Sequence, residues 1–277
     1  MYDGSYFGVG RDPGGDREGR SGYASYDRVS SNADVSAMVV WRTFGGATRV
    51  LDVGCAKGFV VEAMTELGIE AEGCDVSAFA VENAVPGARG RVRQADVTSG
   101  LPWPDRSFDV VCALETLEHL PPESVPVALS ELRRVCAGFV YATIPSFGSN
   151  GGGGPDGFFE GKVRPERETY YESLGPGYSG PVPYDDLARD VEGNPVEGHL
   201  TIASYRWWTE AFEAVGFERR ADVERRIYAD IEPAGLAVAW NIYVMEAPGA
   251  PRRIANPRSP GATLVELGLR HPLFGVV

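Results

Sequence analysis

Asp52, Asp75 and Asp96 each close a short apolar run, and Gly54 and Gly58 follow the first of them in RVLDVGCAKGFVVEAM, residues 49 to 64. Residues of these types at these places suit a polar ligand held against bare backbone. Glycine lets a ligand come where a Cβ would stand, and one carboxylate can take two donors at once. Asp75 lies 23 positions after Asp52, where an acid suits the two hydroxyls of a ribose. Asp96 is placed to accept from an amino group such as that of adenine. Ala56 and Lys57 fill the middle of the turn, so the three-glycine spacing that cradles a pyrophosphate is absent. That counts against a nicotinamide dehydrogenase.

Three histidines supply the candidates for moving a proton, since imidazole titrates near neutral pH. His119 follows Glu115 by four positions, so on a helix the two would share a face. His199 precedes a helical pattern that begins near Ser204. His119 is the first candidate for a general base and His199 the second. The alternative for His119 is that it only fastens its loop. His271 lies in the C-terminal tail, far from every motif, and reads as structural. No cluster with metal-ligand spacing appears, so no catalytic metal is expected. Cys55, Cys74, Cys112 and Cys136 have no CxxC spacing and read as buried, reduced thiols.

These residues need elements to position them. From 49 to about 145, short apolar runs alternate with helical patterns. Over 122–136, Val125, Leu129, Leu132 and Cys136 mark one buried helix face. Alternation of this kind implies an α/β fold: a parallel sheet with helices on both faces. SNADVSAMVVWRTFGG predicts a helix capped near Ser31 or Asn32 and stopped at Gly45. SYRWWTEAFEAVGF predicts another, followed by two strand-like runs at 217–230 and 235–246. The expected division is an irregular arm at 1–30, a domain at 31–246 carrying an insert at 146–199, and a tail at 247–277. The insert is dense in Gly, Pro, Tyr and acids, which fits a lid over an acceptor site. Its Phe158, Phe159, Tyr170, Tyr171, Tyr178 and Tyr184, with Tyr2, Tyr6 and Phe7 of the arm, are the expected pocket walls.

A net charge of −13 argues against nucleic acid as a partner. No apolar run is long enough for a membrane span, and the N-terminus does not read as a secretory signal, so a cytoplasmic protein is expected. The tail is placed either on the domain or on a partner subunit of a homo-oligomer.

Taken in order, VLDVGCAKG, GCDVS, ADVTSGLPWPDRSFDVVCALETLEHL and EGHLTIASYRWWTEAFEAVGF resemble the class I S-adenosylmethionine-dependent methyltransferases. The resemblance covers about 48–146, with weaker agreement over 199–246. Ala56 stands where that family more often has glycine. The resemblance implies a Rossmann-like, doubly wound, seven-stranded sheet with its last strand antiparallel. It implies S-adenosylmethionine as cofactor. Gly54, Cys55 and Gly58 would line its methionine and ribose portion, and Asp52 would hold its amino end. Asp75 with Val76 would bind the ribose, and Asp96 with Val97 the adenine. Leu114 and Glu115 would flank the sulfonium. Trp103 is expected beside the adenine, and Lys57 in solvent. The expected activity is O-methylation of a small molecule, a sugar or glycosylated secondary metabolite in first place. N-methylation of an amino sugar, O-methylation of an aromatic polyketide and a non-catalytic cofactor-binding regulator are the alternatives.

Overall fold

A computed structural model describes residues 2, 6–7, 26–45, 49–146, 178–181, 198–231 and 241–249. Most of the expected insert, all of the tail from 250 onward and most of the arm lie outside these residues. With them go Gly151 to Gly154, Phe158, Phe159, Tyr170, Tyr171, Tyr184 and His271.

The strands are β1 (Arg49–Val53), β2 (Glu70–Asp75), β3 (Val92–Gln94), β4 (Phe108–Leu114), β5 (Cys136–Thr143), β6 (Glu218–Arg219) and β7 (Ile242–Glu246). They form one seven-stranded sheet in the order β3-β2-β1-β4-β5-β7-β6. The first five are parallel, and β7 runs antiparallel between β5 and β6. The sheet is therefore doubly wound, with a last strand that runs backwards, as the resemblance implies.

Alternation along the strands builds two cores. Val50, Val110, Cys112, Phe139, Tyr141 and Val244 point to one face, where α1 (Ala33–Thr43), α2 (Phe59–Glu66) and α6 (Ala221–Ile231) pack. Leu51, Val111, Ala113, Val140, Tyr243 and Met245 point to the other, which α4 (Val125–Val135) and α5 (Tyr205–Ala214) cover. A short helix, α3 (Ala78–Glu82), follows β2. Trp208 and Phe212 are fully buried on α5, one turn apart, and the Ser204 side chain caps that helix by accepting from the Trp207 N–H. Arg42 and Asp230 tie α1 to α6 through a 2.7 Å ion pair.

One sequence expectation is corrected here. The run 217–230 is not a strand beyond Glu218–Arg219, because α6 takes most of it. Val223, Ile227 and Ile231 recur every four residues, and all three are buried. That is the helical period. It carries charged residues between the apolar ones, which imitates strand alternation over short windows.

Candidate active site

The strand order reverses between β1 and β4. In open α/β sheets a crevice forms at the carboxyl ends of the strands on either side of such a reversal. Two cavities lie there. One, of about 350 Å³, is lined among others by Gly54, Ala56, Asp75, Val76, Asp96, Val97, Leu114, Glu115, Thr116 and His119, with Tyr2, Tyr6 and Phe7 of the arm. The second, of about 200 Å³, is lined by Tyr26, Ser30, Ser31, Asn32, Ser36, Asp52, Gly54, Cys55, Val60, Leu114, Glu115 and Thr143. They share Tyr26, Gly54, Leu114 and Glu115, so the pair is suited to one elongated ligand.

The turn after β1 is shaped by its own packing as much as by a ligand. Gly54 has φ +78°, and a Cβ there would come within 2.3 Å of Thr116 Oγ1. Gly58, expected to line the site, lines neither cavity. It has φ +79°, and a Cβ there would stand 2.6 Å from the Ala88 Cβ. It lets α2 close onto the segment after α3. Ala56 is left-handed at φ 48° although it is not glycine, and its N–H donates to Asp75 Oδ2 at 2.8 Å. Lys57 is not simply solvated, since its ammonium lies over the rings of Phe7 and Phe79 at 5.6 and 5.9 Å. Cys55 is buried, and burial first, then the neighbouring Asp52 and Asp75, hold its thiol well above its usual range. It is no nucleophile in this setting.

The acids divide by environment. Asp52 is 2% exposed, and burial, with Asp75 nearby, pushes its carboxyl up to about 8. Burial also raises Asp75, against two backbone N–H donors, Ser77 and Ala56. Each Asp75 oxygen still has an acceptor site left for a ligand hydroxyl. Asp96 runs the other way. Partial burial pushes it up, but donors from Thr98 and Ser99 prevail and hold it below the usual carboxylate range. Of the expected cofactor residues, only Gly58 is outside both cavities. Trp103 is outside them too. It packs on Phe108, and its indole N–H donates to Glu72 at 3.0 Å. Tyr178 lines neither, and its hydroxyl donates to Pro181 O.

The segment after β4 begins at Glu115, left-handed at φ 51°, with its N–H held by Thr143 O at 2.9 Å. A 3-10 turn, Leu117–His119, follows. The backbone oxygen of Glu118 accepts from Leu200 and Thr201 N–H, and His119 Nδ1 meets the Gly198 carbonyl. Segments some 80 residues apart are thereby stitched together. His119 and His199 come ring to ring at 5.0 Å, while the ring of Tyr2 stands edge-on to His119 at 5.9 Å. A carbonyl only accepts, so Nδ1 carries the proton and Nε2 the lone pair. Burial pulls His119 down to about 4, with the Gly198 carbonyl opposing, so the ring is neutral at pH 7. His199 is more open, its side chain 40% exposed.

Two groups were missed in the sequence. Glu118 was passed over, and it is fully buried beside both histidines. Ser31 and Asn32 were read only as a helix cap, and Ser30 only as the end of the irregular arm. Asn32 makes no side-chain cap, and all three line the smaller cavity. A surplus of polar residues before one helix was the available signal.

Residues 51–138 match a protein-family model described as a methyltransferase domain. The ubiquinone biosynthesis O-methyltransferase of Idiomarina loihiensis is 32% identical over 102 residues, covering 35% of this chain and 42% of its own. The 27-O-demethylrifamycin SV methyltransferase of Amycolatopsis mediterranei is 37% identical over 84 residues, covering 26% and 29%. A solved S-adenosylmethionine-dependent methyltransferase from Methanosarcina mazei aligns over 72% of this chain and 92% of its own, with a TM-score of 0.47 and 17% identity. The two sequence matches span less than half of either relative's length.

Proposed function

We propose, from the premise that residues 51–138 are a class I S-adenosylmethionine-dependent methyltransferase domain, that the chain transfers a methyl group to a hydroxyl of a small molecule. A sugar or glycosylated metabolite is the acceptor we favour. The observation that carries the hydroxyl reading is His119: a neutral imidazole, oriented through Nδ1 by the Gly198 carbonyl, in the wall of the cavity that also holds Asp75 and Asp96. A hydroxyl must lose its proton as it is methylated, and an oriented neutral imidazole accepts one. Two relatives support the class of acceptor by their names, one an O-methyltransferase of ubiquinone biosynthesis and one a 27-O-demethylrifamycin methyltransferase. The rings of Tyr2 and Tyr6 in the cavity wall support a ring-shaped, polar acceptor.

The cofactor supplies an activated methyl on a positively charged sulfur. The chain binds, orients and excludes water. Asp52 with Ser30 and Ser31 would hold the amino acid end in the smaller cavity, Asp75 the ribose hydroxyls, and Asp96 with Val97 the adenine edge. An ammonium beside Asp52 would bring that buried carboxyl back to its charged form. Most of the rate then comes from holding the hydroxyl in line, with the imidazole adding about 10²–10⁴-fold.

Two measurements test this. Asp75→Ala should weaken cofactor binding in calorimetry by about 1.5–3 kcal/mol, and unchanged affinity in a folded variant removes Asp75 from the site. His119→Ala should lower turnover by about 10²-fold or more with cofactor affinity retained. These assays use labelled cofactor against sugar, phenol and amine panels read by mass spectrometry. Near-normal turnover in both His119→Ala and His199→Ala ends the histidine role, and transfer to amines alone ends the hydroxyl reading.

A further inference from the structure

The carboxyl of Glu118 is the one buried group of the cluster to which the reading above gives no work. It is 0% exposed, and neither of its oxygens has a hydrogen-bond partner. Leaving a buried polar group in that condition is costly, and proteins seldom do so without a use for it. Its Oε1 lies 3.9 Å from Nε2 of His119 and 3.9 Å from Nε2 of His199. That is too long for a hydrogen bond. One ligand-type atom from each of the three residues falls within 4.8 Å of the others. Adjacent ligand atoms around a divalent ion with bonds of about 2.0–2.2 Å are separated by roughly 3.0–3.5 Å, so small side-chain rotations close the gap.

We propose that Glu118, His119 and His199 hold one divalent transition-metal cation at the edge of the larger cavity, where it coordinates the acceptor hydroxyl. The donor set decides the kind of ion. Two imidazoles and one carboxylate suit Mn²⁺, Fe²⁺, Co²⁺ or Zn²⁺, whereas Mg²⁺ and Ca²⁺ favour oxygen alone. The Gly198 carbonyl accepts the hydrogen bond of His119 Nδ1–H and leaves Nε2 with its lone pair as a ligand, the usual outer partner of a metal-bound imidazole. Leu200 and Thr201 hold the peptide oxygen of Glu118, so the two ligand-bearing segments are fixed to each other without the ion. Three protein ligands leave positions open, and His119 also belongs to the cavity wall.

The catalytic part of this proposal rests on the hydroxyl reading, while binding of the ion does not. The lone pair of His119 Nε2 can serve only one of these roles: without the cation it accepts the proton as described above, and with the cation bound it is a ligand and the ion takes over activation of the hydroxyl. The O–H bond of a coordinated hydroxyl breaks with its proton passing to water. The oxygen then forms its bond to the methyl carbon as the carbon–sulfur bond breaks. The cation changes no oxidation state.

The test uses the full chain, stripped with EDTA and desalted, then titrated with MnCl₂ and followed by the EPR signal of free Mn²⁺. CoCl₂ followed by visible absorption gives the coordination. One saturable equivalent is expected, with affinity at least about tenfold weaker in Glu118→Gln and in His199→Ala. Both variants should bind S-adenosylmethionine normally in calorimetry, which separates loss of the ion from loss of the fold. No saturable uptake by the unaltered chain, or equal uptake by it and both variants, overturns the site. Turnover lost in EDTA and restored by Mn²⁺ supports the hydroxyl role. Turnover indifferent to EDTA while Mn²⁺ binds overturns that role and leaves methylation standing. Transfer to amines alone, with Mn²⁺ bound as expected, sinks the hydroxyl reading and leaves the cation site.

Discussion

Asp52 sits at the end of β1 with almost no solvent contact, and its carboxyl is held up at about 8. In an unfolded chain the same group ionises near 4. As pH rises from about 4 to about 8, the unfolded state gains from ionisation and the folded one does not. The ligand-free protein therefore loses stability through that window and no further above it. Asp52→Asn removes the effect. Its melting temperature should exceed that of the unaltered chain by a margin that widens from pH 4 to 8 and then levels off. Its cofactor affinity should fall, because a neutral amide cannot answer an ammonium. A margin that is flat across this window, measured in thermal melts without cofactor, would show that Asp52 is not held neutral by the fold. Asp52, Asp75 and Asp96 were legible in the sequence as acids of the cavity walls because each stands at or just past the carboxyl end of a strand, and such ends meet at one edge of a parallel sheet. Glu118 was not, since the role proposed for it depends on a histidine some 80 residues away. No local spacing encodes that meeting.

At the scale of elements, the pairing of β4 with β5 fixes where Leu114 and Glu115 emerge. The register shifts between Phe108 and Val110, whose partners are Cys136 and Phe139. Gly138 lies within that irregularity, and a Cβ on it would stand 2.3 Å from the carbonyl oxygen of Asp109. Backbone is the obstacle, so no side chain can move aside. Gly138→Ala should destabilise the fold by about 1–3 kcal/mol, the usual cost of overpacking, and disturb the site through β4. An unchanged urea midpoint would mean that the strands absorb the methyl group without strain. The parallel part of the sheet was readable from alternating apolar runs, and the antiparallel β7 was implied only by the resemblance. The helix α6 was not, because Asp222, Glu224, Arg225 and Arg226 among its apolar positions resemble an exposed strand face until the four-residue period is followed to Ile231.

Across the whole molecule, the site is closed by residues from both ends of its sequence neighbourhood. Phe7 is 4% exposed, stacked on Phe79 at 6.0 Å and packed with Ala56 and Ala80 apart from the two main cores. The hydroxyl of Ser77 donates to the Tyr2 carbonyl, and Ser77 also donates its N–H to Asp75. The arm is thus bonded to the same turn that carries the proposed ribose acid. The sequence marked Tyr2, Tyr6 and Phe7 as pocket walls only by their aromatic character, and nothing local said which wall they would form. Because the Phe7 cluster is small, its loss should cost the global fold little and the cavity much. Phe7→Ala should lower the melting temperature by only a few degrees, about 2–4 °C for each kcal/mol lost in a chain of this size. It should also free the Lys57 ammonium from one of its two rings and let water into the cavity. Cofactor affinity should drop about tenfold or more, through faster release seen in stopped-flow fluorescence, because a wall that excludes water acts mainly on the rate of leaving. Unaltered release with a large loss of stability would instead make the arm a structural strut and remove it from the site.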